Sequence, residues 1–185
     1  MTKYKFSNGA ALVFGGSGGL GTGIVNLLAE SGSDVAFTYY KNKESAENNL
    51  KNIEGIGRNG LIGSVDLLEM SNVQSFVNEA KEKFGRIHSV IFATGPFLHI
   101  MPVLEAKPED VYYTLDADIK GFYHVLRAVV PALKEGGGGS ITALTTAAIH
   151  KYISTDGLSS IPKAGVQHLC TACLLYTSDA ADDVR

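Results

Sequence analysis

The sequence predicts an α/β fold, a doubly wound parallel sheet, on two observations. An apolar run over 10–14 leads through the glycine-rich stretch Gly15-Gly16-Ser17-Gly18-Gly19-Leu20-Gly21 directly into a segment of helical period. Beyond it, short β-branched and aromatic runs alternate with longer helix-forming segments along most of the chain. Such alternation implies right-handed βαβ units and a parallel sheet covered on both faces.

Each element carries its own signal. In the first helix Leu20, Ile24, Leu27 and Leu28 fall on one face. Residues 34–40 are rich in β-branched and aromatic types and read as the second strand, and 41–57 as a polar helix ended by glycine. A third short strand over 61–65 closes on Asp66. Val73, Phe76, Val77, Ala80 and Phe84 recur at helical spacing, with Gly85 as the stop. Residues 89–93 form the fourth strand, followed by the loop signal Thr94-Gly95-Pro96. Pro102 and Pro108 bracket a connection, and Pro108-Glu109-Asp110 is an acidic helix start. Ile119, Phe122, Tyr123, Leu126, Val130 and Leu133 mark the next helix. The glycines at 136–139 read as a helix-to-strand turn, because 141–145 behind them is a fifth strand. A last helix is expected to begin near Ser160-Ile161-Pro162, with proline close to its first turn.

Strand, glycine turn and helix together present backbone N–H groups and a helix N-terminus to a phosphate. Gly15 allows the sharp turn, Gly19 lets the backbone approach a pyrophosphate, and Gly21 lets the helix pack closely. In such a fold the ligand lies beyond the carboxyl ends of the strands. The loops holding 15–21, Asp66, Gly95 and Thr145-Thr146 are expected to meet there.

Bulk composition narrows the class. The 185 residues suggest one domain with a real core, and 45% hydrophobic with 19% charged residues reads as soluble and globular. A net charge of −3 argues against nucleic acid or an acidic membrane surface as the main partner. No apolar stretch approaches the roughly 20 residues of a membrane span. The polar, lysine-bearing start and the lack of an Asn-x-Ser/Thr site point to the cytoplasm. His88, His99, His124, His150 and His168 are scattered without metal-ligand spacing, so no metal site is expected. Cys170 and Cys173 have the spacing of a redox pair or half a zinc site, but His168 is the one further ligand nearby. Two unrelated thiols are the better reading.

With these residues in place, the chain over 10–171 resembles the short-chain dehydrogenase/reductase family. Gly15-x-x-x-Gly19-x-Gly21 matches its cofactor motif, and Asp66 sits where its acidic residue meets the adenine ring. Phe92-Ala93-Thr94-Gly95 occupies its Asn-Asn-Ala-Gly position, and Lys163-Ala164-Gly165 matches the segment after its active-site tyrosine. The resemblance implies a Rossmann-type sheet, a nicotinamide cofactor and a small-molecule carbonyl or alcohol substrate. It also implies a homo-oligomer built through the helices flanking the catalytic segment. The cofactor contacts it implies are Gly15, Ser17, Gly19, Leu20, Gly21, Tyr39, Lys41, Asp66, Gly95 and Lys163. Its four catalytic positions fall on Asp118, Thr146, Ser159 and Lys163, three of them altered: Asn to Asp118, Ser to Thr146, Tyr to Ser159. Thr146 keeps a hydroxyl that can orient a carbonyl. Ser159 is a poor substitute for a phenol, whose pKa of about 10 a neighbouring lysine lowers further. General acid–base help is worth about 10²–10⁴ in rate, so the usual mechanism is expected to suffer. Tyr152 and Asp156 are the weaker alternatives for the missing tyrosine. NAD-binding members hold the ribose 2′-hydroxyl with an acid after the second strand. Between Val35 and Lys43 this chain has none and offers Lys41 instead, which favours NADP with NAD as the alternative.

The last residues depart from the family. Cys173-Leu174-Leu175-Tyr176-Thr177-Ser178-Asp179-Ala180-Ala181-Asp182-Asp183 looks like the in-frame translation of a transposon-end sequencing adapter. Residues 1–172 therefore read as an incomplete NAD(P)-binding domain missing its last strands, and 173–185 as a non-native tail to be set aside. A sheet without its final strands exposes an unpaired edge. The 185-residue chain is accordingly expected to be poorly soluble or partly unfolded.

Overall fold

The computed structural model describes residues 6–151 and 153–174. Tyr152 and most of the 173–185 tail lie outside them. The chain divides into two compact units, 1–94 with 124–144 and 95–123 with 145 onward.

The first unit is a five-stranded, wholly parallel sheet in the order β3-β2-β1-β4-β5, flanked by helices. Its strands are β1 (Ala10–Phe14), β2 (Asp34–Tyr39), β3 (Gly60–Ser64), β4 (Ile87–Phe92) and β5 (Ser140–Ala143). Strand β1 is central and buried along its whole length, which is why it reads as an unbroken apolar run and not as an alternation. Among the described residues β5 pairs with β4 alone and alternates exposed and half-buried positions. Order reverses at β1, whose neighbours are β2 on one side and β4 on the other. The carboxyl ends of β1 and β4 are the switch point of a doubly wound sheet.

Helices α1 (Gly19–Glu30), α2 (Lys43–Gly55) and α3 (Met70–Phe84) link the strands, and most of α5 (Gly121–Glu135) precedes β5. Asn42 caps α2 by accepting from the Ser45 N–H at 3.2 Å, and Gly85 ends α3 in the left-handed conformation at φ 72°. The inward face of α1 meets the expected face only in part: Ile24 and Leu28 pack against the core, and Leu20 and Leu27 do not. Gly21, Val25 and Ala29 are buried, whereas Leu20 and Leu27 are 72% and 64% exposed. Gly21, Val25 and Ala29, at i, i+4 and i+8, are all shorter than leucine and let α1 lie close on the sheet. Val25 and Ala29 join Val13, Val35, Phe37, Ala46 and Ile53 in one apolar cluster.

The second unit holds α4 (Pro108–Leu115), a five-residue π-helical turn (Asp116–Lys120), the first turn of α5, and α6 (Gly157–Leu174). Pro108 opens α4 with Glu109 and Asp110 in its first turn, as expected. Two expectations need correction. Helix α6 begins at Gly157, so Pro162 lies inside it and not at its start. The segment entering α5 is not plain α-helix, because the π turn widens it by one residue around Asp118.

Candidate functional site

In the sheet unit the glycine turn leaves β1 at Phe14 and is held in shape by five bonds. Gly15 sits at φ 87°, where a side chain would be strained. Its N–H donates to Thr38 Oγ1 at 3.1 Å, and the Gly16 N–H donates to the Thr38 carbonyl at 2.9 Å. From α2, Asn49 Nδ2 donates to the Gly16 carbonyl and to Thr22 Oγ1, both at 3.0 Å, and Ser45 Oγ donates to the Ser17 carbonyl at 3.1 Å. A Cβ on Gly21 would stand 2.0 Å from the Gly15 carbonyl oxygen, so α1 starts directly over the turn's first peptide. A Cβ on Gly19 would meet nothing within 4 Å, and Gly18 caps α1 with no side-chain bond. The turn is thus rigid underneath and open above, with exposed Gly18, Gly19 and Leu20 at its lip.

The other candidates of this unit are less uniform. Asp66 follows β3 and accepts from the Leu68 N–H through Oδ1 at 2.9 Å. Tyr39 packs against the apolar cluster. Lys41 is exposed, its ammonium 5.4 Å from the centre of the Tyr40 ring. His88 is a packed histidine: Nε2 lies 3.2 Å from Ser33 Oγ, Nδ1 lies 3.0 Å from Ser89 Oγ, and the ring stacks on Phe6. Burial, with a smaller effect of Arg86, holds its pKa below the ordinary histidine value.

In the second unit the structure brings Lys163 and Asp118 together. Lys163 Nζ lies 2.9 Å from Asp118 Oδ1, with side chains 11% and 1% exposed. The second carboxylate oxygen, Oδ2, is buried and makes no hydrogen bond among the described residues. Burial pushes the Asp118 carboxyl up, and the Lys163 charge and hydrogen bond pull against it. A Cβ on Gly95 would stand 3.9 Å from Lys163 Nζ, so Gly95 borders the same ammonium. Thr146 is placed with Asp156: its Oγ1 donates to Asp156 Oδ2 at 3.5 Å and accepts from the Ala148 N–H at 3.2 Å. Ser159 lies in the first turn of α6, its N–H bonded to the Asp156 carbonyl at 3.2 Å. On the same helix, burial and neighbouring Cys173 push the Cys170 thiol up, away from the thiolate that redox chemistry needs.

Sequence reasoning missed Gly16, Thr22, Thr38, Ser45 and Asn49 as supports of the turn. Asn49 had a signal: it shares one helical face with Ala46 and Ile53, all buried, and a polar residue on such a stripe needs partners.

The profile of the short chain dehydrogenases matches residues 9–177. The NADP-dependent mannitol dehydrogenase of Hypocrea jecorina is 29% identical over 171 residues, covering 90% of this chain and 64% of its own length. The cyclohexanol dehydrogenase of an Acinetobacter species is 27% identical over 177 residues, covering 95% and 69%. The structure of NAD+-bound xylitol dehydrogenase superposes with a TM-score of 0.88 at 23% identity, covering 94% of this chain and 66% of that one. The chain spans about half to two thirds of the length of the curated relatives it matches. With its parallel sheet and glycine turn, the chain belongs to the short chain dehydrogenase family.

Proposed function

We propose that the chain is the cofactor-binding part of an NAD(P)-dependent oxidoreductase acting on a small carbonyl or alcohol. The observation that carries this reading is the turn over 15–21. It is pinned from below, it precedes a helix N-terminus without a side-chain cap, and it is open at position 19. No protein atom requires Gly19 to lack a side chain; a pyrophosphate against the exposed peptides would. Gly15, Ser17, Gly19, Leu20 and Gly21 hold the pyrophosphate, Asp66 the adenine end, and Gly95 and Lys163 the nicotinamide ribose. Bound nicotinamide supplies or accepts the hydride. Thr146 orients the reacting oxygen, and Ser159 or a water takes the place of the phenol in moving the proton.

NADP is favoured over NAD. The relatives split, one named as NADP-dependent and another determined with NAD+. In this chain no acid stands between Val35 and Lys43, and exposed Lys41 beside Tyr39 can pair with a 2′-phosphate. We further infer one NAD(P)-binding domain over 1–172, a non-native tail over 173–185, a homo-oligomer of the full-length form, and a cytoplasmic location. No described helix is long and apolar enough to cross a membrane.

A second reading keeps the binding and drops the turnover: a dinucleotide-binding sensor or partner subunit. It is favoured by Ser159, four residues before Lys163 where the family has its tyrosine, and by Asp118 paired to that lysine. The test is NADPH binding by fluorescence on the full-length protein, then turnover on a panel of carbonyls with Ser159→Tyr alongside. Binding with turnover supports the enzyme. Binding without turnover, restored by Ser159→Tyr, supports the binder, and absence of NADPH and NADH binding refutes both.

A further inference from the structure

We propose that Asp118 is a positioning residue and the counter-charge of Lys163, so that the lysine holds ribose as half of a neutral pair and withholds net positive charge from a hydroxyl beside it. This deepens the nucleotide reading above and rests on it for the ribose.

Three observations on one unit support the assignment. The Lys163 ammonium and the Asp118 carboxylate meet at 2.9 Å with both side chains nearly withdrawn from water. In that setting the charges act on each other far more strongly than across solvent. Asp118 Oδ2 is buried and, among the described residues, makes no hydrogen bond, so the carboxylate's one described ionic partner is the ammonium. The approach is also built into the chain. The π turn carries Asp118, and the next residue, Ile119, touches α6 at Gly165, where a Cβ would stand 2.7 Å from Ile119 Cδ1. Gly165 is two residues past Lys163, so the glycine lets α6 close on the turn that presents the carboxylate. An asparagine at 118 could accept the same hydrogen bond but would carry no charge.

Ser159 and Lys163 are four apart on α6 and share a face, which makes position 159 a probe of the lysine's effective charge. The experiment places a phenol there by Ser159→Tyr in the full-length apo protein and follows its ionisation by difference absorbance against the parent. Three backgrounds are compared: the native pair, Asp118→Asn, and Asp118→Asn with Lys163→Met. The proposal expects the phenol to ionise at the same pH, within about 0.3 unit, with the native pair and with both charges removed. Asp118→Asn alone exposes the cation and lowers that pH by about one unit or more, the size of effect a nearby opposite charge produces. A phenol that ionises about one unit lower beside the native pair than in the doubly neutral background overturns the proposal. So does an unchanged midpoint in folded Asp118→Asn. Should Asp118→Asn fail to fold, the doubly neutral background leaves no buried lone charge and still decides the question. NADPH binding to the unsubstituted protein is scored separately: its absence refutes the nucleotide reading, whereas the phenol midpoints judge the charge pairing alone.

Discussion

Replacing Thr38 by valine tests whether one strand hydroxyl holds the nucleotide turn. Thr38 is buried at the end of β2, and its Oγ1 accepts from the Gly15 N–H at 3.1 Å. Valine keeps the volume, the branching at Cβ and the strand preference, and it leaves the bond from the Gly16 N–H to the Thr38 carbonyl in place. What goes is one hydrogen bond, worth about 0.5–1.5 kcal/mol net, and an orphaned buried donor costs about 1–3 kcal/mol. Gly15 is half-buried, so water recovers part of the loss and about 1–2 kcal/mol is expected. At about 2–4 °C per kcal/mol for a chain of this size, the melting temperature should fall by about 2–8 °C. Because the turn is what slackens, NADPH affinity should fall as well. Thr38→Ser is the control: it keeps the hydroxyl, loses a buried methyl, and should cost stability without weakening NADPH. Thermal melts by circular dichroism and NADPH titration by fluorescence on the full-length protein supply both readouts. If Thr38→Val melts within about 1 °C of the parent and binds equally well, the hydroxyl does not hold the turn.

Gly21→Ala would force a methyl to within 2.0 Å of the Gly15 carbonyl, backbone against backbone, and should cost at least about 1–3 kcal/mol and abolish NADPH binding; unchanged binding would show that the turn yields. Asn49→Ala removes a buried bond to the Gly16 carbonyl and a half-buried one to Thr22 Oγ1, and should destabilise by about 1–3 kcal/mol in urea unfolding, where a loss near zero would mean that water replaces the amide. His88 should make stability fall on acidification. Its folded pKa is lowered, so below about pH 6.5 the unfolded chain binds the proton that the folded chain resists. The stabilisation is complete above that pH and drains away as pH falls toward the folded value. His88→Gln should flatten the slope between pH 7.5 and 5, and parallel profiles for the two proteins would assign it elsewhere.

What was legible in the sequence is what the local backbone dictates. The run over 10–14, the turn at Gly15, the close packing at Gly21 and the stop at Gly85 each answer to a strand, a turn, a close approach or a left-handed residue, and these reappear in the structure at those positions. The face of α1 is legible only at Ile24 and Leu28, because hydrophobicity ranks leucine above glycine and alanine, while the sheet selects for closeness and so buries Gly21 and Ala29. Thr38 and Asn49 act across 23 and 33 residues, and no period in the sequence joins them to the turn. The pairing of Asp118 with Lys163 spans 45 residues and depends on a π turn that the helical spacing of 119–133 does not betray. Read along the sequence, Asp118 and Ser159 are separate departures from one family pattern. The structure links the first to the retained lysine. A phenol beside a lysine works as an acid because the cation favours its anion. On the proposed charge pairing a neutralised lysine would lose that purpose, and with it the chief reason to keep a phenol at 159. On that pairing, Asp118→Asn combined with Ser159→Tyr is expected to give more turnover than Ser159→Tyr alone, and equal turnover for the two would refute the link between positions 118 and 159.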